Sequence, residues 1–295
     1  MDLNLDEQDI VKMSVMEKQN LLPHLFLKKL GYEMWNRCKI ENWDEFLSNS
    51  LLVGPPGAHS RENIMSNIDK FIQKQKSGSD GQYNLGLPRL SEKDILSMVV
   101  EICDVSSDIS YIKGEDWVTL EAFKKRINKA ARVGVEMAKK AGTIFMSTGH
   151  AESLPPAYTY MGKTLVGKGA KLYNPSIYSI MSEDNEHWLG SICNVTMLFL
   201  DGAVRHTHDD CNMDKIIEAE GIRPDLAIAD HGFGAAMIRA KIPTILIVDT
   251  NDIELIVAAC TYPERIFPIP IHDNAGVNES MAMAYYFEHL VRAIK

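Results

Sequence analysis

Cysteine is scarce and scattered in this chain. The five residues Cys38, Cys103, Cys193, Cys211 and Cys260 form no CxxC pair, and their number is odd. That argues against a thiolate zinc module and a disulfide framework, and for a reducing cytoplasm. Positive charge is in deficit too: 31 Lys and Arg face 40 Asp and Glu, a net charge of −9. A chain this acidic lacks the cationic surface that nucleic-acid binding needs, so no nucleic-acid partner is expected. No run approaches the ~20 apolar residues of a membrane span, so no membrane partner is expected either. The start, MDLNLDEQDIVKM, lacks the basic-then-apolar order of a signal peptide. There is no Walker loop, GxGxxG or GxSxG, which weakens nucleoside triphosphatase, dinucleotide-binding and serine-hydrolase readings. Repeats and low-complexity tracts are absent as well.

What remains is an ordinary globular composition: 45% hydrophobic and 24% charged over 295 residues. That length holds one large domain or two small ones. Residues 1–50 carry apolar positions at helical spacing, as do residues 63–75 and 121–141. Ser91 to Asp94 reads as a capping box, and residues 76–88 as a loop. From Thr143 the pattern changes. Apolar runs at 143–147, 225–229 and 244–248, and an extended run at 265–271, alternate with helices predicted at 209–221, 232–241, 252–259 and 279–295. From residue 192 to 208 the sequence reads as two strands around an Asp201-Gly202 turn. The expectation is an α/β fold: a Rossmann-like three-layer sandwich with a mostly parallel sheet at 141–295, plus a helical N-terminal part at 1–140. No linker separates the two, so they are compatible with one compact unit.

The chemistry-bearing residues cluster at the ends of the predicted strands. Thr148, Gly149 and His150 follow the first run. Asp230 and His231 follow the second, and Asp249, Asn251 and Asp252 the third. His272, Asp273 and Asn274 follow the extended run, and His206, His208, Asp209 and Asp210 the hairpin. Open α/β sheets bind ligands beyond the carboxyl ends of their strands, so these segments are predicted to line one pocket. Each has a plainer explanation. Asp, Asn and Thr after a strand make good helix caps, Asp252 above all, and Gly149 and Gly232 permit tight turns. Caps do not call for histidine, however. His206 and His208 point to one face of an extended strand, a common metal-ligand spacing. Carboxylates suit Mg²⁺ or Mn²⁺, and imidazole adds borderline ligands. A Thr148-Gly149-His150 turn that opened a helix would offer backbone N–H groups to an anion.

Five stretches give the chain a resemblance to a known family. They are Ser60-Arg61-Glu62-Asn63, Ser147-Thr148-Gly149-His150, Arg205-His206-Thr207-His208, residues 224–232 (PDLAIADHG) and Asp249-Thr250-Asn251-Asp252. In order and spacing they resemble a family of intracellular phosphatases common in actinobacteria, over residues 60–290. Two segments depart from its pattern. His272-Asp273-Asn274 stands where two acids and a histidine are expected, and Ala151 to Pro156 replaces a glycine-rich turn. The resemblance implies phosphate contacts from Arg61, Asn63, Thr148, Gly149 and His150. It implies catalytic roles for Asp230, His231, Asp249, Asn251 and Asp252, and metal ligation by His206, His208, Asp230, Asp249 and Asp273.

The function expected is metal-assisted hydrolysis of a small phosphorylated metabolite by a cytoplasmic phosphoric monoester hydrolase. Two other readings use the same crevice. One is a non-catalytic binding module for a phosphorylated ligand. The other is a sugar-phosphate isomerase or lyase, since His and Asp at strand ends equally suit proton transfer. A homo-oligomer is compatible with all three.

Overall fold

The computed structural model describes residues 40–55, 59–79, 81–173, 187–200, 203–208, 211–219, 221–272 and 276–295. In chain order its elements are α1 (Trp43–Ser48), β1 (His59–Ser60), α2 (Arg61–Lys76), α3 (Glu92–Cys103), β2 (Glu115–Asp116), α4 (Leu120–Lys139), β3 (Thr143–Ser147), α5 (Pro155–Val166), β4 (Lys171–Leu172) and β5 (His187–Ile192). They continue with β6 (Val195–Leu200), β7 (Ala203–Arg205), α6 (Cys211–Ala219), β8 (Leu226–Asp230), α7 (His231–Arg239), β9 (Thr244–Val248), α8 (Ile253–Thr261), β10 (Ile266–Pro270) and α9 (Val277–Ala293).

Local chemistry sets the helix starts. Ser60 Oγ accepts the Asn63 N–H, and the Thr119 hydroxyl accepts that of Ala122. Ser91 and Asp94 close the expected capping box. Of the predicted N-terminal helical run, residues 1–39 lie outside the described residues and α1 lies within them.

The fold is mixed α/β with a mostly parallel eight-stranded sheet. Its order is β10-β9-β8-β3-β6-β5, with β4 on β3 and β7 on β6. The strands expected at 143–147, 225–229 and 244–248 are β3, β8 and β9, all mutually parallel, and the extended run is the parallel edge strand β10. The hairpin is larger than expected. Its second arm is β6–β7, antiparallel across residues 201–202, but β6 also pairs antiparallel with β5, which begins at His187. The β5–β6 turn carries no glycine signal. Cys193 and Asn194 take it up instead, both left-handed at φ 54° and 67°, as a two-residue hairpin requires.

Alternation along the strands divides the core. Ile144, Met146, Leu226 and Ile228 face one large apolar cluster that runs from Leu47 to Val291 and takes in α1 to α5, α8 and α9. Phe145, Ala227 and Ala229 face the other side, against Met213, Ile216 and Ile217 of α6 and Phe233 and Met237 of α7. Helices thus cover both faces, an arrangement compatible with a three-layer α/β sandwich. The helical N-terminal part shares the larger core with the sheet.

Strand order reverses at β3, which has β6 and β4 on one side and β8 on the other. This is the topological switch point where open sheets leave a crevice. The hairpin is aimed at it. β6 pairs only with the last residues of β3, Met146 and Ser147, and runs on past them. β7 then folds back along β6 and returns the chain to the end of β3, where the Thr207 N–H donates to Gly149 O at 3.0 Å.

Arg61 is the first residue of α2. Fully buried, it pairs with Asp116 at 3.0 Å and donates to the carbonyls of Ser106, Asp108 and Tyr111. It therefore pins the 104–116 loop, and it does not line the cleft described below. Arg61→Met is expected to cost about 3–5 kcal/mol, because Asp116 is left as a buried charge without its cation. A urea titration with unchanged midpoint would overturn this.

Candidate active site

A cleft of about 390 Å³ opens at the carboxyl edge of the sheet. Four histidines stand on one side of it: His150 after β3, His206 and His208 after β7, and His231 after β8. Their rings are packed together, with centroids of His150–His231 at 4.1 Å and His208–His231 at 4.2 Å. The backbone is shaped to allow this. A Cβ on Gly149 would lie 2.3 Å from Thr207 O, so only glycine lets the His206–His208 segment approach. His231 is left-handed at φ 46°, an uncommon conformation for a non-glycine residue that turns its ring into the cluster.

Three of the four rings are held from behind by a carboxylate. His150 Nδ1 meets Asp230 at 2.8 Å, His231 Nδ1 meets Asp252 at 3.2 Å, and His206 Nδ1 meets Glu152 at 3.0 Å. Asp230 is fully buried, which opposes its charge, but the His150 hydrogen bond keeps its carboxyl below the usual range. Partial burial opposes the Glu152 charge too, and His206 lowers it in the same way. These acids are therefore acceptors, and each Nδ1 donates. The proton positions then follow around the ring of contacts. His150 and His206 present bare Nε2 atoms. Facing them at 3.1 Å each, the Nε2 atoms of His231 and His208 donate. His231 is accordingly a cation. Burial opposes its charge, but Asp252, Asp230 and Asp249 outweigh it and push its pKa up to about 9. His208 is neutral: partial desolvation and the adjacent His231 and His206 push its pKa down to about 4.

His150, His206 and His231 bring one ligand atom each to within 4.8 Å of one another, a grouping that can hold a metal ion. Carboxylates behind the ring nitrogens are the usual support of such ligands: they leave Nε2 available on His150 and His206, and His231 would give up its Nε2 proton on binding an ion.

The loop after β9 completes the site. Asp249 Oδ1 accepts from the Asn251 and Asp252 amides, and its Oδ2 meets His59 Nε2 at 3.1 Å. That hydrogen bond, despite partial burial, raises the pKa of His59. Asp252 occupies the cap position of α8 but makes no capping bond. Its carboxylate serves His231 and the Asp249 amide instead. Asp230, at the cap position of α7, likewise bonds His150 and the Tyr158 hydroxyl. The capping reading of Asp252 thus gives way: both strand-end acids have turned from the helix backbone to the histidines.

Of the expected pocket residues, His206, His208, His231, Asp249, Asn251 and Asp252 line the cleft, together with His150. His150, expected at a phosphate, stands in the histidine trio. Asp230 sits one layer behind it. Thr148 is buried, its hydroxyl accepting the His150 N–H, and Asn63 is exposed outside the cleft. The Thr148-Gly149-His150 turn does not open a helix. α5 starts five residues later on Pro155 and Pro156, which have no N–H to offer an anion. His272 packs edge-on against His59 at 5.0 Å, and Asp273 and Asn274 lie outside the described residues. The sequence reading missed Glu152, Tyr158 and His59, and with them Asn67, Lys70 and Lys74 of α2, which line the cleft from the helical part.

Comparison with known proteins places the chain in a family. The chain is 25% identical over 228 residues to Phosphatase SCO2771 of Streptomyces coelicolor, a span covering 74% of this chain and 82% of that protein. The model of the family described as Phosphatase matches residues 39–291, from the start of α1 through almost all of α9 and so across every residue of the cleft. The chain therefore belongs to the Phosphatase family.

Proposed function

We propose that the protein hydrolyses a small phosphate monoester in the cleft at the carboxyl edge of its sheet, with a divalent metal ion held by His150, His206 and His231. The observation that carries this reading is the threefold carboxylate–histidine pairing around one point. A helix cap or a solvated charge pair has no need of it.

The donor set selects the ion. Three imidazoles suit a transition metal such as Mn²⁺, Fe²⁺ or Zn²⁺, whereas Mg²⁺ prefers oxygen. Such an ion, when bound, neutralises phosphoryl oxygens and lowers the pKa of a coordinated water. The protein residues supply orientation. Asp230, Asp252 and Glu152 fix the three rings through Nδ1. Asp249 holds the 249–252 loop rigid through its two amide contacts. Asn251 reaches from that loop to Asn67 on α2 at 3.1 Å and so ties the two sides of the cleft together. A volume of about 390 Å³ is at the small end for ligand sites and suits a metabolite rather than a polymer.

A phosphate-release screen over small phosphorylated metabolites, with Mn²⁺ present, tests the reading. Turnover of at least one monoester is expected. Saturable binding without release of phosphate would favour the non-catalytic module. Conversion without release would favour the isomerase or lyase.

A further inference from the structure

Among the described residues that line the cleft, the lysines are Lys70 and Lys74, both on α2 and both exposed. They stand four positions apart on one helix face, so their side chains project side by side. Neither belongs to the histidine centre. A chain of hydrogen bonds separates Lys70 from it: Lys70 Nζ donates to Asn67 Oδ1, Asn67 Nδ2 to Asn251 Oδ1, and Asn251 Nδ2 to Asp249 Oδ2. Two amide side chains thus stand between the ammonium group and the carboxylate of the 249–252 loop. Lys74 lies a further turn along the helix, about 10 Å from Asn67 at 1.5 Å per residue.

Glu254, an acid of the cleft lining, does not pair directly with Lys74. Glu254 is buried and accepts the backbone N–H groups of Gln82 and Tyr83, so its carboxylate is turned into the 81–83 loop. The cleft therefore has a lysine pair displaced along α2 from the histidine group that could hold a metal ion.

We infer that the substrate is a phosphate ester carrying a second anionic group, phosphate or carboxylate, which Lys70 and Lys74 bind while the scissile phosphate lies at the histidines. This rests on the phosphatase reading for the scissile end only. A cleft with cations at one end would serve a simple monoester. Cations at two ends discriminate against it, because exposed lysines left facing no anion gain nothing from its binding.

The test compares matched pairs in wild type, Lys70→Gln, Lys74→Gln, the double variant and the charge-retaining double Arg variant. Fructose 1,6-bisphosphate is set against fructose 6-phosphate, and 3-phosphoglycerate against glycerol 3-phosphate, which separates a second phosphate from a carboxylate. In wild type the doubly anionic member of at least one pair is expected to have the higher kcat/KM. In the double Gln variant that preference falls about 10- to 100-fold, the range for losing charge-assisted hydrogen bonds, chiefly through KM. The double Arg variant retains it. Equal kcat/KM within both pairs overturns the inference, as does an equal loss for both members, which would place the lysines on the scissile phosphate. Calorimetric binding of the same compounds separates the two readings. If no ester is turned over yet the doubly anionic compounds bind more tightly, and the double Gln variant loses that difference, the phosphatase reading fails and this inference stands. Equal binding overturns the inference.

Discussion

Stripping the protein of divalent ions with a chelator is expected to abolish phosphate release, and returning a single transition-metal ion to restore it. Without an ion, the Nε2 atoms of the trio hydrogen-bond one another and their neighbours at 3.1 Å, and none is arranged to activate water. A neutral, unactivated water attacks a phosphate monoester far too slowly to measure, so the loss should exceed ~10³-fold. The add-back should rank Mn²⁺, Fe²⁺ or Zn²⁺ above Mg²⁺, because the donors are nitrogen. The decisive readout is phosphate release in metal-free buffer with each ion titrated singly. Full activity after exhaustive chelation, with metal confirmed absent by mass spectrometry, would overturn the metal assignment.

Asp230→Asn should be nearly as damaging, although Asp230 does not line the cleft. The asparagine oxygen can still accept the Tyr158 hydroxyl, and the side-chain volume is kept. Its amide nitrogen, however, now faces His150 Nδ1 and donates where the carboxylate accepted. The imidazole must carry its proton on Nε2 instead, so the atom that faces the trio loses its lone pair. Buried carboxylate-to-amide changes behind a histidine act through the tautomer in this way, with losses of about 10²–10⁴-fold. Thermal melting separates this from mere destabilisation. The variant should melt within a few degrees of wild type while losing both kcat and bound metal. Near-native kcat/KM would mean that the strand-end carboxylate is structural.

Much of the fold was legible because parallel strands buried on both faces read as short apolar runs. β3, β8, β9 and β10 are such runs, and the first three are followed by polar residues that stand at the site. β5 was not legible: its half-buried, mixed sequence HWLGSI carries no alternation strong enough to mark it, and its turn uses Cys193 in a conformation that a reader assigns to glycine. The site residues on strand ends were legible for the same topological reason. Their ranking was not. Spacing shows that Asp230 and Asp252 follow strands, but only the hydrogen bonds show that both face histidines rather than helix amides. Glu152 and the α2 residues were invisible for another reason. Glu152 lies beyond the turn that ends β3, and the α2 residues stand two turns into a helix behind the two-residue β1, so packing brings them to the cleft. Arg61 illustrates the converse, a polar residue in a recognisable motif whose guanidinium the fold has taken inward.

The three imidazoles of the trio do not share one structural foundation. His150 and His231 rise directly from adjacent strands at the centre of the sheet. His206 arrives on the exposed segment after β7, which is held at the end of β3 by the backbone bond from Thr207 to Gly149 and by the Glu152 contact. Residues 206–208 belong to neither apolar cluster, so parting them from the sheet leaves both clusters whole and is a local opening well below the free energy of global unfolding. A ligand bridging all three rings would thus act as a clasp between a fixed jaw and a hinged one. Whatever binds there closes the protein's edge as well as its chemistry.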